Sequence, residues 1–334
     1  MKLIIPMAGR GSRLRPHTLT VPKPLIPIAG KPIVQRLVED IAKVCHEKID
    51  EVVFVIGDFG TEVEQNLLNI AASIGAKGTI CYQDKPLGTA HAVLCAGNAL
   101  VGNTIVAFAD TLFKADFQLD ASKDGAIWVK KVEDPSSFGV VKLDNDGVIT
   151  DFIEKPKTAV SDLAIIGIYY FKSGERLREA LQHLADHQIM VNGEYQLTDA
   201  LENLKNDGNK FVSAKVNDWL DCGNKNATVD TNTRYLDYLD PTQIVDKSLK
   251  AVNSVVIPPV YIGRNVTLEN TVIGPYVSVG DDCTIQNSLL SKSIIQENTK
   301  ISNVNLTNSM LGSHVSLEGT PKDVSLGDYN TIKY

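Results

Sequence analysis

The chain has 334 residues, 43% hydrophobic and 22% charged, ordinary values for a globular chain that buries a large core in about two domains. Its formal net charge of −7 argues against nucleic acid as a partner, since a binding face for a polyanion should be basic. Five cysteines, Cys45, Cys81, Cys95, Cys222 and Cys283, are scattered without a CxxC pair, so neither a zinc site nor a disulfide framework is suggested and a reducing cytoplasm fits best. Only a few apolar residues precede Pro6 and Gly9, so no signal peptide is expected, and no apolar run approaches the length of a membrane span.

Leu3, Ile4 and Ile5 form an apolar run sufficient for a buried first strand, and small residues follow at once. Gly9 and Gly11 flank Arg10, and Ser12, Arg13 and Arg15 come next. Glycines let backbone N–H groups approach a ligand while guanidinium groups neutralise its charge, so this loop suits phosphates. Pro22, Pro24, Pro27 and Pro32 then stiffen the chain and hold Lys23 on a rigid arm rather than in a helix. A dinucleotide fingerprint would need a third glycine where Leu14 stands, and a P-loop would need GxxxxGK followed by Ser or Thr, so both are excluded.

These residues resemble the signature of the sugar-1-phosphate nucleotidyltransferases, AGxGTRLxPxT followed by PKPLxPxxxKP. Ala8, Gly9, Gly11, Arg13, Leu14, Pro16 and Thr18 match its first half, and Pro22, Lys23, Pro24, Leu25, Pro27, Lys31 and Pro32 its second. Ser12 stands where Thr is usual and keeps the hydroxyl. The resemblance implies that Met7, Ala8, Gly9, Gly11, Ser12 and Arg13 bind the nucleotide and that Arg13 and Lys23 are catalytic.

Residues 33–46 place Ile33, Leu37, Ile41 and Val44 on one helical face. An apolar run at 52–56, a helical stretch at 61–74 and a short apolar run at 79–82 continue a strand–helix rhythm, which predicts a parallel sheet with covered faces and ligands beyond the carboxyl ends of its strands. At 82–92, YQDKPLGTAHA, a strand ends near Gln83 and a helix starts near Thr89. The Gln83 amide can pair with the edge of a base and Gly88 lets that base approach the backbone, although a glutamine at a strand end can equally face solvent. Relatives that use thymidine or uridine triphosphate carry a similar QxxPLGxAxA string, which implies that Gln83 and Gly88 bind a pyrimidine base. His91 reads as a helix-face residue without chemistry.

A buried strand at 104–109 delivers Asp110 at its carboxyl end. Taken alone, such an aspartate is more often a cap or turn residue, but a carboxylate facing a triphosphate calls for a cation between them, and Mg²⁺ suits carboxylate and phosphate oxygens. The resemblance makes Asp110 the first metal-binding aspartate and Asp221, in WLDCG at 219–223, the second, with Cys222 a small packing residue. Residues 138–143 and 148–154 read as a hairpin with Asp-Gly in its turn. The family pattern implies that Gly139 lets the sugar lie on backbone, that Glu154 of the EKP motif accepts sugar hydroxyls, that Lys155 is catalytic and holds the sugar phosphate, and that Glu194 of GEYQLTDAL contacts the sugar. Residues 163–171 read as a further strand and 173–187 as a helix with Ser173 as its cap and Leu177, Leu181 and Leu184 inward. Thr198 and Asp199 read as caps of the next helix, and a helix at 227–238 closes the domain.

Beyond a polar linker at 241–253, aliphatic residues recur every five or six positions: Ile262, Leu268, Ile273, Val279, Ile285, Leu290, Ile295, Ile301, Leu306, Leu311 and Leu317. This is a hexapeptide repeat, the signature of a left-handed parallel β-helix of roughly four coils. The fold expected is therefore a mixed, mostly parallel, Rossmann-like α/β nucleotidyltransferase domain over 1–240 followed by a short β-helix over 254–334. Several members of the family carry such a tail, which implies homo-oligomerisation through it. Hexapeptide helices elsewhere act as acyltransferases using a histidine; His314 is the sole histidine in these repeats and no long loop insertion accompanies it.

The resemblance is strongest to glucose-1-phosphate thymidylyltransferases. It implies Mg²⁺-dependent attack of a sugar 1-phosphate on a nucleoside triphosphate, with dTTP and glucose 1-phosphate favoured, UTP- or GTP-dependent relatives as alternatives, and a catalytically inactive regulatory subunit as a third reading. Neither nucleic acid nor a membrane is an expected partner.

Overall fold

In the computed structural model, which describes residues 1–9, 11–45, 47–116, 119–158, 160–241 and 244–320, the first apolar run forms the strand Lys2–Pro6, with Leu3, Ile4 and Ile5 fully buried. Arg10 of the glycine loop lies outside the described residues. The chain packs into two units, Met1–Ile26 with Lys31–Thr228, and Pro27–Gly30 with the chain from Val229 onward.

The first unit is built on a mixed sheet. Lys2–Pro6 pairs in parallel with Glu51–Ile56 on one side and Thr104–Ala107 on the other, and Lys77–Tyr82 extends this half beyond Glu51–Ile56. Every residue of Glu51–Ile56 is buried, as expected for a strand covered on both faces. The other half is antiparallel: Leu163–Phe171 lies against Thr104–Ala107 and also pairs with Gly125–Lys131 and with Gly139–Leu143 of the expected hairpin. The hairpin turn is fixed by Asp144, whose Oδ1 accepts the N–H groups of Asp146 and Val148, each at 2.9 Å.

The helices follow their apolar stripes. Ile33–Val44 buries Ile33, Leu37, Ile41 and Val44. Gly174–Asp186 is capped by Ser173, whose Oγ accepts the Arg176 N–H at 3.2 Å, and it buries Leu177, Leu181 and Leu184. Each such burial contributes about 1.5–3 kcal/mol, more than the roughly 1 kcal/mol of the cap, so the stripe decides that this segment is a helix and the cap where it begins. Thr198 and Asp199 do not cap the next helix. Leu197–Asn206 begins after Gln196, and both residues sit inside its first turn. Two short strands without apolar periodicity, Thr111–Lys114 and Asp218–Asp221, pair antiparallel as a separate ribbon.

In the second unit, strands from Lys250–Val252 to Ser316–Glu318 stack into one five-stranded and two four-stranded parallel sheets, the arrangement of a left-handed β-helix. Leu268, Ile285, Ile301 and Leu317 stack in one register, Ile273, Leu290 and Leu306 in a second, and Ile262, Val279, Ile295 and Leu311 in a third. Coils advance by 17 and then 16 residues, less than three full hexads, and single corner residues take left-handed backbone. Asparagine tolerates that conformation and its amide can ladder: Asn253, Asn270, Asn287 and Asn303 are linked by side-chain bonds of 2.8–3.1 Å. His314 occupies the corner held in earlier coils by Asn265, Asp282 and Asn298, all at positive φ.

The β-helix begins within the stretch expected as linker. Lys250–Val252 is its first strand, Val245 bridges to Ile262, and Val245 and Leu249 pack on its core. Residues 27–30 belong to this unit because the Ala29 N–H and the Ser278 hydroxyl both donate to Asn232 Oδ1, at 2.9 and 2.8 Å. The division between units consequently falls inside the helix Lys225–Asp237, ahead of the expected boundary. No helix among the described residues is long and apolar enough to cross a membrane.

Candidate active site

A crevice of about 380 Å³ opens at the carboxyl ends of the parallel strands. From the loop after Lys2–Pro6 it is lined by Met7, Ala8, Gly9, Gly11, Ser12 and Arg13. Gln83 and Gly88 line it from the end of Lys77–Tyr82, and Asp110 from the end of Thr104–Ala107. Lys23, Glu194 and Gly223 complete it from distant segments.

The glycine loop closes over Lys23. Gly11 has φ +61°, and a Cβ there would stand 2.9 Å from the Lys23 Cβ, so only glycine leaves room for the arm to pass. The Thr18 hydroxyl donates to the Gly11 carbonyl at 2.8 Å and ties the loop down. Lys23 opens a single 3₁₀ turn, Lys23–Leu25, started by Pro22 rather than a fully extended arm, and it is buried. Its Nζ lies 3.3 Å from Asp110 Oδ2, and that carboxylate is 48% exposed. Such a half-wet pair is worth about 0–1 kcal/mol, so Lys23 can exchange the carboxylate for a phosphate at little expense.

Asp110 and Asp221 are brought together by the ribbon. Asp221 stands opposite Thr111, and the Cys222 N–H donates to the Asp110 carbonyl at 3.0 Å. Burial pushes the Asp221 carboxyl up from its ordinary range and the neighbouring Asp110 pushes it further, against the opposing pull of the Gly223 N–H, Lys23 and Arg13. Two carboxylates that repel at the edge of a crevice also lined by Arg13 and Lys23 have the donor chemistry for a dication. Among the described residues no three His, Cys, Asp or Glu side chains converge, so the protein alone offers an open pair rather than a closed cage.

Gly139, Glu154 and Lys155 lie apart from this lining. Glu154 Oε2 accepts the Thr198 hydroxyl at 3.2 Å, and a Cβ at Gly139 would stand 3.1 Å from the same oxygen. The absent side chain at 139 therefore makes room for the glutamate itself. Lys155 has φ +41°, uncommon for a residue with a Cβ, and its exposed Nζ is 3.9 Å from Glu154 Oε1. Gly88, at φ +104°, accommodates neighbouring backbone: a Cβ there would stand 2.5 Å from the Tyr195 carbonyl oxygen and 2.9 Å from the Glu194 Cβ.

Three contributors carry no signal in the sequence reading. The buried Tyr169 phenol is pushed well above its ordinary pKa by burial, then by Glu154 and Asp110, so its hydroxyl stands within the field of both carboxylates. The nearly continuous apolar run of Leu163–Phe171 marks it only as one of several buried residues. Phe138 and Trp219 meet edge to face at 4.8 Å between ring centroids, which docks the start of the hairpin strand against the aspartate ribbon. His91 Nδ1 lies 3.1 Å from Gln83 Nε2, a contact from the helix Thr89–Leu94 to the end of Lys77–Tyr82 that a helix-face reading passes over.

Residues 2–238 match the family model described as nucleotidyl transferase. The chain is 34% identical over 263 residues to the low-salt glycan biosynthesis nucleotidyltransferase Agl11 of Haloferax volcanii, spanning 76% of this chain and 69% of that one. It is 31% identical over 286 residues to a glucose-1-phosphate thymidylyltransferase of Streptomyces antibioticus, spanning 79% and 78%. A crystal structure of UDP-glucose pyrophosphorylase complexed with UDP-glucose superposes with a TM-score of 0.58 at 25% identity, over 71% of this chain and 99% of that one.

Proposed function

The chain belongs to the nucleotidyl transferase family, and from that premise we propose that it joins a nucleoside triphosphate to a sugar 1-phosphate, releasing pyrophosphate, with dTTP and glucose 1-phosphate as the preferred pair. The observation that carries this reading is the convergence of the glycine loop, Lys23 and Asp110 on one crevice, with Asp221 beside Asp110.

The reaction is an in-line displacement at the α-phosphorus: a sugar-phosphate oxygen attacks and the bond to the pyrophosphate oxygen breaks. The attacking oxygen is already anionic at neutral pH, so no general base is needed and the protein's part is positioning and charge compensation. Backbone N–H groups of Gly9, Gly11 and Ser12, with Arg13, hold the triphosphate and stabilise the departing pyrophosphate. Lys23 leaves Asp110 to bridge the transferred phosphoryl group. Gln83 and Gly88 seat the base, while Glu154 and Glu194 accept sugar hydroxyls and Lys155 orients the sugar phosphate. Asp110 and Asp221 would hold Mg²⁺, which supplies charge neutralisation between the attacking and leaving oxygens. The β-helix joins copies of the chain into a homo-oligomer.

UTP in place of dTTP is the second reading, favoured by the likeness to a UDP-glucose-bound structure. Thymine and uracil share the edge that a glutamine amide reads, so Gln83 supports both. The test is pyrophosphate release with Mg²⁺ across dTTP, UTP, GTP, CTP and ATP, each against a panel of sugar 1-phosphates. Turnover highest with dTTP and glucose 1-phosphate is expected; turnover with no pair would return the chain to the regulatory-subunit reading.

A further inference from the structure

Outside the crevice, two histidines stand one turn apart at the end of a helix. His183 lies in the last turn of Gly174–Asp186, His187 closes it, and both are exposed. Residues four apart on a helix are neighbours on its surface, and these rings meet: their centroids are 4.1 Å apart and their planes 36° from parallel. The His187 ring is also pinned. Its Nδ1 lies 3.0 Å from the His183 carbonyl oxygen, which already accepts the His187 backbone N–H at 3.1 Å. A carbonyl can only accept, so Nδ1 carries the proton and Nε2 keeps its lone pair. Among the described residues nothing is hydrogen-bonded to that Nε2 or to either ring nitrogen of His183. A metal-ligating histidine is held in this way: one ring nitrogen donates to a carbonyl or carboxylate, which fixes the tautomer, and the other bonds the ion. The charge nearby has the matching sign. Carbonyls of a helix's last turn carry partial negative charge, Asp186 stands between the two histidines in sequence, and no lysine or arginine occurs from residue 179 to 204.

We propose that His183 and His187 form a two-imidazole site for a late first-row dication, of the class of Ni²⁺, Cu²⁺ and Zn²⁺. Imidazole suits these ions whereas Mg²⁺ takes oxygen ligands, so this site and the aspartate pair select different metals. Bonds of about 2.0–2.1 Å from one ion to two nitrogens bring those atoms to roughly 3 Å from each other. Rings already at 4.1 Å reach that by side-chain rotation, with the helix unmoved. Among the described residues no third His, Cys, Asp or Glu converges there, so water completes the coordination. The bound ion ties the last turn of the helix to its C-terminal cap. Nucleotidyl transfer does not enter the argument, since neither histidine lines the crevice.

Ni²⁺ is the probe, titrated by calorimetry into the full chain without a histidine tag and with Mg²⁺ in excess to occupy oxygen-built sites. The wild type should bind one equivalent that His183→Gln and His187→Gln each weaken by about tenfold or more, ~1.4 kcal/mol per lost ligand. Both positions are exposed, so without metal each variant should melt as the wild type does. Cu²⁺ gives a second readout that does not depend on affinity. Its paramagnetic resonance spectrum should show coupling to two imidazole nitrogens in the wild type and to one in either variant. A wild type that takes up no Ni²⁺ overturns the proposal, as does an affinity unchanged in either variant or a wild-type Cu²⁺ spectrum with a single nitrogen. Failure of the pyrophosphate-release test would leave the metal site standing, and failure of the metal site would leave the nucleotidyltransferase reading untouched.

Discussion

The two halves of the first unit's sheet deliver their candidate residues by different means. In the parallel half most candidates follow directly on a strand, Met7, Ala8 and Gly9 on Lys2–Pro6, Gln83 on Lys77–Tyr82 and Asp110 on Thr104–Ala107, while Lys23 joins them from its 3₁₀ turn. Parallel strands all end on one edge, so strand order alone brings those loops into one crevice. In the antiparallel half neighbouring strands end on opposite edges, and the sugar candidates are assembled by side chains instead: Thr198 on Glu154, Gly139 making space for that glutamate, Phe138 against Trp219. A site built on backbone ends should tolerate change around it and fail only when a reacting group is lost. One built on side-chain contacts should degrade in steps.

The sharpest break is Asp110→Asn. It keeps shape and removes one charge from the aspartate pair, so kcat is expected to fall by about 100-fold or more while the thermal midpoint moves little. Unchanged turnover with excess Mg²⁺ would refute the metal assignment. Gly88→Ala comes next and acts through fold as well as function: its Cβ would stand 2.5 Å from the Tyr195 carbonyl at a φ of +104°, which should cost about 1–3 kcal/mol of stability and raise the nucleotide KM. Both are measured by steady-state kinetics with a melting curve.

On the antiparallel side, Glu154→Gln should raise the KM for the sugar 1-phosphate by about tenfold, the worth of one charged hydrogen bond, and leave the nucleotide KM unchanged. A rise in both constants would mean that the two halves are not separable. Thr198→Val is the smallest expected effect. It deletes the hydroxyl that donates to Glu154, so the sugar KM should rise about threefold with no change in melting. If Thr198→Val matched Glu154→Gln, the threonine would be a direct ligand and not a brace.

Features set by near neighbours in the chain were legible from residues alone. The glycine loop, the helical stripe of Leu177, Leu181 and Leu184, the Asp-Gly hairpin and the aliphatic period of the β-helix each repeat or terminate over a few residues, and local backbone sterics and period fix them. The pairing of Asp110 with Asp221 was legible only through resemblance, because nothing local in WLDCG points to a partner so far away. Tertiary structure alone decided the rest. Thr198 looks like a helix cap and is instead turned onto Glu154; Gly88 looks like room for a base and is also room for the Tyr195 backbone; His91 looks like helix surface and is bonded to Gln83. Each of those outcomes depends on which segment arrives opposite, and a side chain's partner across space leaves no period in the sequence that carries it.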